Sequence, residues 1–216
     1  MAKNPRGRTS RDFRRKRPKR PPFDRILVVC EGKKTEPNYL EEIRQAARIS
    51  NVDLRIVNSA LGTEPRQIVE SAEREFSKTK SYEKIYVVFD RDQHLTYANA
   101  IAMAEARDGR YKNDEGVAVS FDAIVSVPSF ELWLLLHFAD IQAWLHRDEA
   151  LARLRNVLPG YEKGSIGVFA ATEAHLEVAS ARGAALKLRF PRLPGDEPYT
   201  DVQELVATLR SLKDGV

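Results

Sequence analysis

The chain has 216 residues and a mass of 24.5 kDa, and its 43% hydrophobic and 31% charged residues describe a soluble globule with room for a sizeable core. A single cysteine, Cys30, excludes a disulfide scaffold and suits a reducing, cytoplasmic compartment. The most apolar run, residues 132–136, is far short of the roughly 20 residues of a membrane span, and no apolar stretch follows the basic N-terminus as a secretory signal requires.

The net charge of +4 conceals a division. Residues 1–22 carry ten Lys/Arg and one acid, Asp12, which leaves 25 basic and 30 acidic side chains in the other 194 residues. This first segment has four prolines and one large apolar residue, Phe13, besides Met1. It is expected to be a disordered basic arm, because it cannot bury enough surface to offset the entropy of ordering. Its densest stretch, Arg14, Arg15, Lys16 and Arg17, is a candidate for nucleic-acid phosphates. A solubilising tail or a dock for an acidic partner is the plainer alternative.

Strand-like and helix-like segments then alternate. Residues 25–31 (RILVVCE) have the continuous apolar centre of a strand buried on both faces. Thr35 offers an N-cap, Pro37 falls in the first turn, and Tyr39, Leu40, Ile43 and Ala47 repeat at helical spacing. Residues 53–58 (DLRIVN) predict a second strand. Pro65 opens a helix with Ile68, Ala72 and Phe76 on one face. Residues 84–90 (KIYVVFD) predict a third strand, 96–107 a helix and 122–127 (DAIVSV) a fourth strand, and Ser129 begins the helix FELWLLLHF. From residue 139 the pattern is helical only. This alternation predicts a parallel sheet with helices on both faces over residues 23–138, with a helical extension over 139–216 packed on it.

Ligands of open parallel sheets bind beyond the carboxyl ends of the strands. The residues expected there are acidic: Glu31 before Gly32, Asp90 and Asp92 flanking Arg91, and Glu131 in the first turn after the fourth strand, at the rim. Gathered carboxylates repel one another unless a cation joins them, and oxygen-only ligands suit Mg²⁺ or Mn²⁺. Any one such acid is an ordinary turn or helix cap. Glu131 is the least ordinary, since Leu134, Leu135 and Phe138 share its face. Gly32 is expected to supply a tight turn, with a positive φ where that turn demands it. Lys33 and Lys34, just beyond, are candidates to meet phosphate. Arg182, Lys187, Arg189 and Arg192 form a basic run that is either a solvated helix face or a second phosphate surface. Cys30 reads as a buried thiol, and His137 as a core histidine or a proton shuttle.

The segments VVCEGKKTEPNYL, VVFDRD, VPSFELWLLLHF, Tyr161 with Lys163, and PYTDV around Thr200 resemble, in order, the RloB-like family of bacterial defence-associated proteins. That family is similar to the TOPRIM nucleases and phosphotransferases. The resemblance implies a TOPRIM-like metal site, with Glu31 in the glutamate role and Asp90 and Asp92 in the DxD role. It also implies an RloA-like ATPase subunit as partner, in systems that halt phage infection or degrade foreign nucleic acid. A Mg²⁺-dependent nuclease with Glu31, Asp90, Asp92 and Glu131 as catalytic residues is the leading expectation. A phosphatase of the haloacid-dehalogenase type, with the first Asp of DxD as nucleophile, is the alternative. So is a non-catalytic module that binds nucleic acid or the ATPase.

Overall fold

A computed structural model describes residues 24–91, 94–193 and 197–212. The expected parallel frame is present. Strands β1 (Ile26–Cys30), β2 (Leu54–Asn58), β3 (Lys84–Asp90) and β4 (Ser120–Val127) join in the order β2-β1-β3-β4, every neighbouring pair parallel. Two helices cover one face, α2 (Pro65–Thr79) and α3 (Tyr97–Glu105), against the apolar set of Leu27, Val29, Val87, Phe89 and Val125. The other face holds Ile26, Val28, Cys30, Val88 and Ile124 under α1 (Thr35–Ala46) and α4 (Glu131–Leu136). Successive side chains of a strand point to opposite faces, so strands clad on both sides must be apolar throughout. All five residues of β1 are buried.

The helices form for local reasons. In α2, Pro65 occupies the first turn and Glu64 and Gln67 make a reciprocal capping box, while Ile68, Val69, Ala72 and Phe76 face the sheet. In α1, Thr35 is the first helical residue and Lys34 stands at the N-cap without a side-chain cap bond. All six residues of α4 are buried, as in a helix apolar around its circumference.

The remainder departs from a purely helical extension. Helices α5 (Arg147–Val157), α6 (Val168–Thr172), α7 (Leu176–Arg189) and α8 (Val202–Ser211) add Leu154, Phe169, Leu186, Val202 and Leu205 to the core on the α1 face. Between α7 and α8 the chain makes a short strand, β5 (Tyr199–Thr200), which pairs antiparallel with Ser126 and Val127 of β4. Two residues carry too little periodicity to be seen as a strand. The ladder on β4 makes them one. Among the described residues no helix is long and apolar enough to cross a membrane.

The register sets the functional edge. Cys30 pairs with Val88, so β3 runs two residues beyond β1, and Asp90 lies level with Ser126 of β4. Glu31 continues β1 with its amide donating to the Val88 carbonyl at 2.9 Å.

Candidate active site

Asp90 ends the strand at the middle of the sheet, on the same side as Tyr86 and Val88 and therefore under α1 and α4. Its backbone N–H donates to Glu31 Oε2 at 3.0 Å, so the two acids stand side by side across the strand ends. Burial drives the Asp90 carboxyl well above the usual range, and Glu36, Glu31 and Glu131 push it further, against a hydrogen bond from the Phe130 backbone. The structure thus brings Glu31, Asp90 and Glu131 together from three loops of the chain.

It also adds a fourth acid, Glu36. This side chain lies in the first turn of α1 and is buried. Its pKa is pushed up to about 7, first by burial and then by the charges of Glu31 and Glu131, with Lys163 opposing. From the sequence it reads as an ordinary acid complementing the helix dipole. The signal available was its spacing from Gly32, one helical turn away. Gly32 does not adopt a positive φ, so the turn after Glu31 does not demand one. Its lack of a side chain leaves room for the Glu36 carboxylate, which a Cβ there would displace.

Glu131 is not at the rim. It is 2% exposed, and its position at the start of α4 holds it under the loop that follows α5. Ser129 Oγ donates to its Oε2 at 2.6 Å, and the Tyr161 hydroxyl lies 3.4 Å from Oε1. Lys163 Nζ stands 3.3 Å from the same Oε1. Burial and the neighbouring Glu131 carboxylate drive the Tyr161 phenol up, so it remains a neutral donor. Tyr161 and Lys163, which sequence reading placed only within a resemblance, are therefore part of the site.

On the α2 side, His94 bridges two acids: Nε2 lies 3.6 Å from Glu31 Oε1, and Nδ1 lies 3.5 Å from Glu64 Oε1. Thr96 Oγ1 donates to Glu64 Oε2 at 2.8 Å. A cleft of about 660 Å³ opens here, lined by Glu64, Arg66, Gln67, Glu70, His94, Leu95 and Thr96. Nothing in the local sequence marked His94, because its partner Glu64 is brought in by the packing of α2.

Other candidates resolve differently. Lys33 and Lys34 are exposed beside the Glu31–Gly32 turn. Asp92 and the arm residues Arg14, Arg15, Lys16 and Arg17 lie outside the described residues. Cys30 is buried, and burial raises its thiol, so it is inert packing. His137 is buried against Trp133, with Nδ1 at 3.0 Å from the Trp133 carbonyl, and burial lowers its pKa to about 4. It is a neutral core histidine.

The basic run of 182–192 is paired within the fold. Arg182 donates to the Leu136 carbonyl at 2.7 Å, and Lys187 pairs with Asp201 and Glu204 at 3.0 and 2.6 Å. Arg189 binds Gln142 at 3.2 Å, and Arg192 reaches Asp201 at 3.2 Å and the Ala123 carbonyl. These contacts hold the C-terminal elements to the core.

A family model described as RloB-like protein matches residues 26–209, which takes in every strand and helix from β1 to most of α8. The chain belongs to the RloB-like family. Neither the curated proteins nor the solved structures contain a significant match to it. The matched span of this RloB-like chain includes all four buried or half-buried acids and the Tyr161–Lys163 loop.

The donors gathered here are carboxylate oxygens at a site where burial and mutual repulsion outweigh compensation, which is the chemistry a hard divalent cation relieves. Among the described residues, no group of three or more His, Cys, Asp or Glu side chains is arranged to hold a metal ion, and Asp92 is not among them.

Proposed function

We propose that this RloB-like protein is a metal-dependent, TOPRIM-like nuclease that hydrolyses phosphodiesters in a bacterial anti-phage defence system, together with an RloA-like ATPase subunit. One observation carries this reading. Glu31, Glu36, Asp90 and Glu131 converge at the carboxyl end of a parallel sheet, and two of them are held above their normal pKa by burial and by one another. A fold gains nothing in stability from such a cluster, so a ligand accounts for it better than structure does.

Glu31 and Asp90, with Asp92, would hold the ion, and Glu131 would stand behind it. A bound Mg²⁺ or Mn²⁺ supplies charge for the phosphoryl oxygens and lowers the pKa of water. The residues of the chain do the rest. Ser129 and Tyr161 orient Glu131 through its two oxygens, and Glu36 presses on the cluster from α1. His94 holds Glu31 from the side facing solvent. The arm, with its ten basic residues, supplies phosphate contacts that do not depend on sequence.

The test is cleavage of mixed single-stranded and duplex DNA and RNA with Mg²⁺ or Mn²⁺, with and without the ATPase. Cleavage that EDTA stops and that Glu31→Gln removes is the expected result. Absence of cleavage under all of these conditions, with nucleic acid still bound, would favour the binding module. Removing residues 1–22 adds a second check: a nuclease keeps some metal-dependent cleavage without its arm.

A further inference from the structure

We infer that Lys34 and Lys163 form a phosphate clamp at the mouth of the carboxylate site and take a backbone phosphate of the nucleic-acid strand. This rests on the nuclease reading for its substrate class, but not for its geometry.

The two lysines come from distant parts of the chain. Lys34 is the N-cap of α1, and Lys163 lies in the loop between α5 and α6. Gly164 locks them together. Its carbonyl accepts from Asn38 Nδ2 of α1 at 2.9 Å, and its backbone lies against the Lys34 stem. A Cβ at this position would stand 2.6 Å from Lys34 Cβ, and the φ of +84° is in the left-handed region that favours glycine. Both constraints require glycine. Their joint effect is to fix the loop carrying Lys163 beside the turn carrying Lys34.

The other side of Lys163 is fixed as well. Tyr161, two residues earlier, is 3% exposed and reaches Glu131. Lys163 is thus presented by a loop anchored on both flanks, not by a free surface segment. Its side chain remains 47% exposed while Nζ lies 3.3 Å from the buried Glu131 carboxylate. An ammonium has three donors, and a half-exposed one over a buried acid is reachable by an anion arriving from solvent.

Electrostatics supplies the reason for such a clamp. Four carboxylates repel a phosphodiester, so an approaching strand needs fixed positive charge at the entrance. Lys34 is exposed, with its stem against Gly164, the residue that follows Lys163. One lysine alone would serve to balance Glu131. Two, carried on segments that Gly164 holds against one another, give a strand a defined point of attachment.

The experiment is a fluorescence-anisotropy titration of full-length protein with a short labelled DNA single strand, in EDTA and at several salt concentrations. K34M and K163M are each expected to lower the slope of log affinity against log salt by about 0.7, one phosphate contact on a single strand. The double variant is expected to lose no more than either single change, because both lysines hold the same phosphate, and K163R to keep the wild-type slope. Unchanged slopes in K34M and K163M, with a lowered melting temperature in K163M, would overturn the clamp and leave Lys163 as a counter-ion. K34M, an exposed position, keeps the test open if K163M does not fold. Cleavage by wild type in Mn²⁺ with unchanged slopes would sink the clamp and keep the nuclease. Reduced slopes in a protein that cleaves nothing would do the reverse.

Discussion

Two groups of buried acids stand on this sheet, and they are treated in opposite ways. Asp201, 2% exposed beside β5, receives the Tyr199 hydroxyl at 2.8 Å, Lys187 at 3.0 Å and Arg192 at 3.2 Å. Glu83, before β3, receives the Arg25 backbone N–H at 2.6 Å, the Arg25 guanidinium at 2.7 Å and Asn113 Nδ2 at 2.9 Å. Those acids tie segments together. At the carboxyl edge, Glu36 and Asp90 face other carboxylates, and their pKa values rise. Burial costs are similar in the two groups; what differs is whether the fold itself supplies the positive partners. The well-paired acids are cement, and the poorly compensated ones mark the place where something from outside the chain belongs.

That contrast breaks most visibly on substitution. Asp90→Asn and Glu31→Gln are expected to lower metal-dependent cleavage by more than the roughly 100-fold that loss of an outer-shell partner costs. Their melting temperatures in EDTA are expected to stay level or rise, because a repelling charge has gone. A large drop in both melts would place these acids with the cement.

Asp201→Ala is expected to do the opposite. It strips Lys187, Arg192 and Tyr199 of their common acceptor and loosens β5 from β4, at a cost of about 2–3 kcal/mol, since both cations are partly exposed and can rehydrate. Denaturant unfolding measures this, and an unchanged midpoint would refute the assignment.

A smaller effect separates the groups by pH. Glu36 has a folded-state pKa of about 7 against 4.5 for the unexposed-to-burial value, so between those limits the folded chain holds more protons than the unfolded one. Stability without metal therefore falls as pH rises through that window. Glu36→Gln is expected to reduce this slope, leaving the part that the raised Asp90 carboxyl supplies, and to stabilise the EDTA-treated protein at pH 8. Thermal melts at several pH values, with and without Mg²⁺, check it; the metal is expected to flatten the wild-type slope as well. A slope that is undiminished in Glu36→Gln would assign it to other groups.

The smallest expected change is at Lys33. It is exposed beside the turn, and Lys33→Ala is expected to alter stability by no more than about 0.5 kcal/mol in a thermal melt. A larger loss would reveal a partner that exposure alone does not suggest.

The sequence by itself determined the frame. Apolar runs long enough for buried strands, separated by helical periodicity, dictate a parallel sheet clad on both faces, and β3 appears at its expected bounds because its apolar centre is flanked by the charged Lys84 and Asp90, which mark its ends. It also placed Glu31, Asp90 and Glu131 at strand or helix termini, since an acid after an apolar run can only lie where the run stops. Tertiary structure decided the rest. Glu36 is indistinguishable from a solvated first-turn acid until α1 packs over the strand ends. Glu131 is buried beneath the loop that carries Tyr161 and Lys163, and the basic run of 182–192 finds its carboxylate partners, Asp201 and Glu204, beyond it in the chain. β5 exists through two residues of pairing with β4. Periodicity reports what one segment buries; which charges meet depends on segments far apart in the chain, and no local pattern contains that distance.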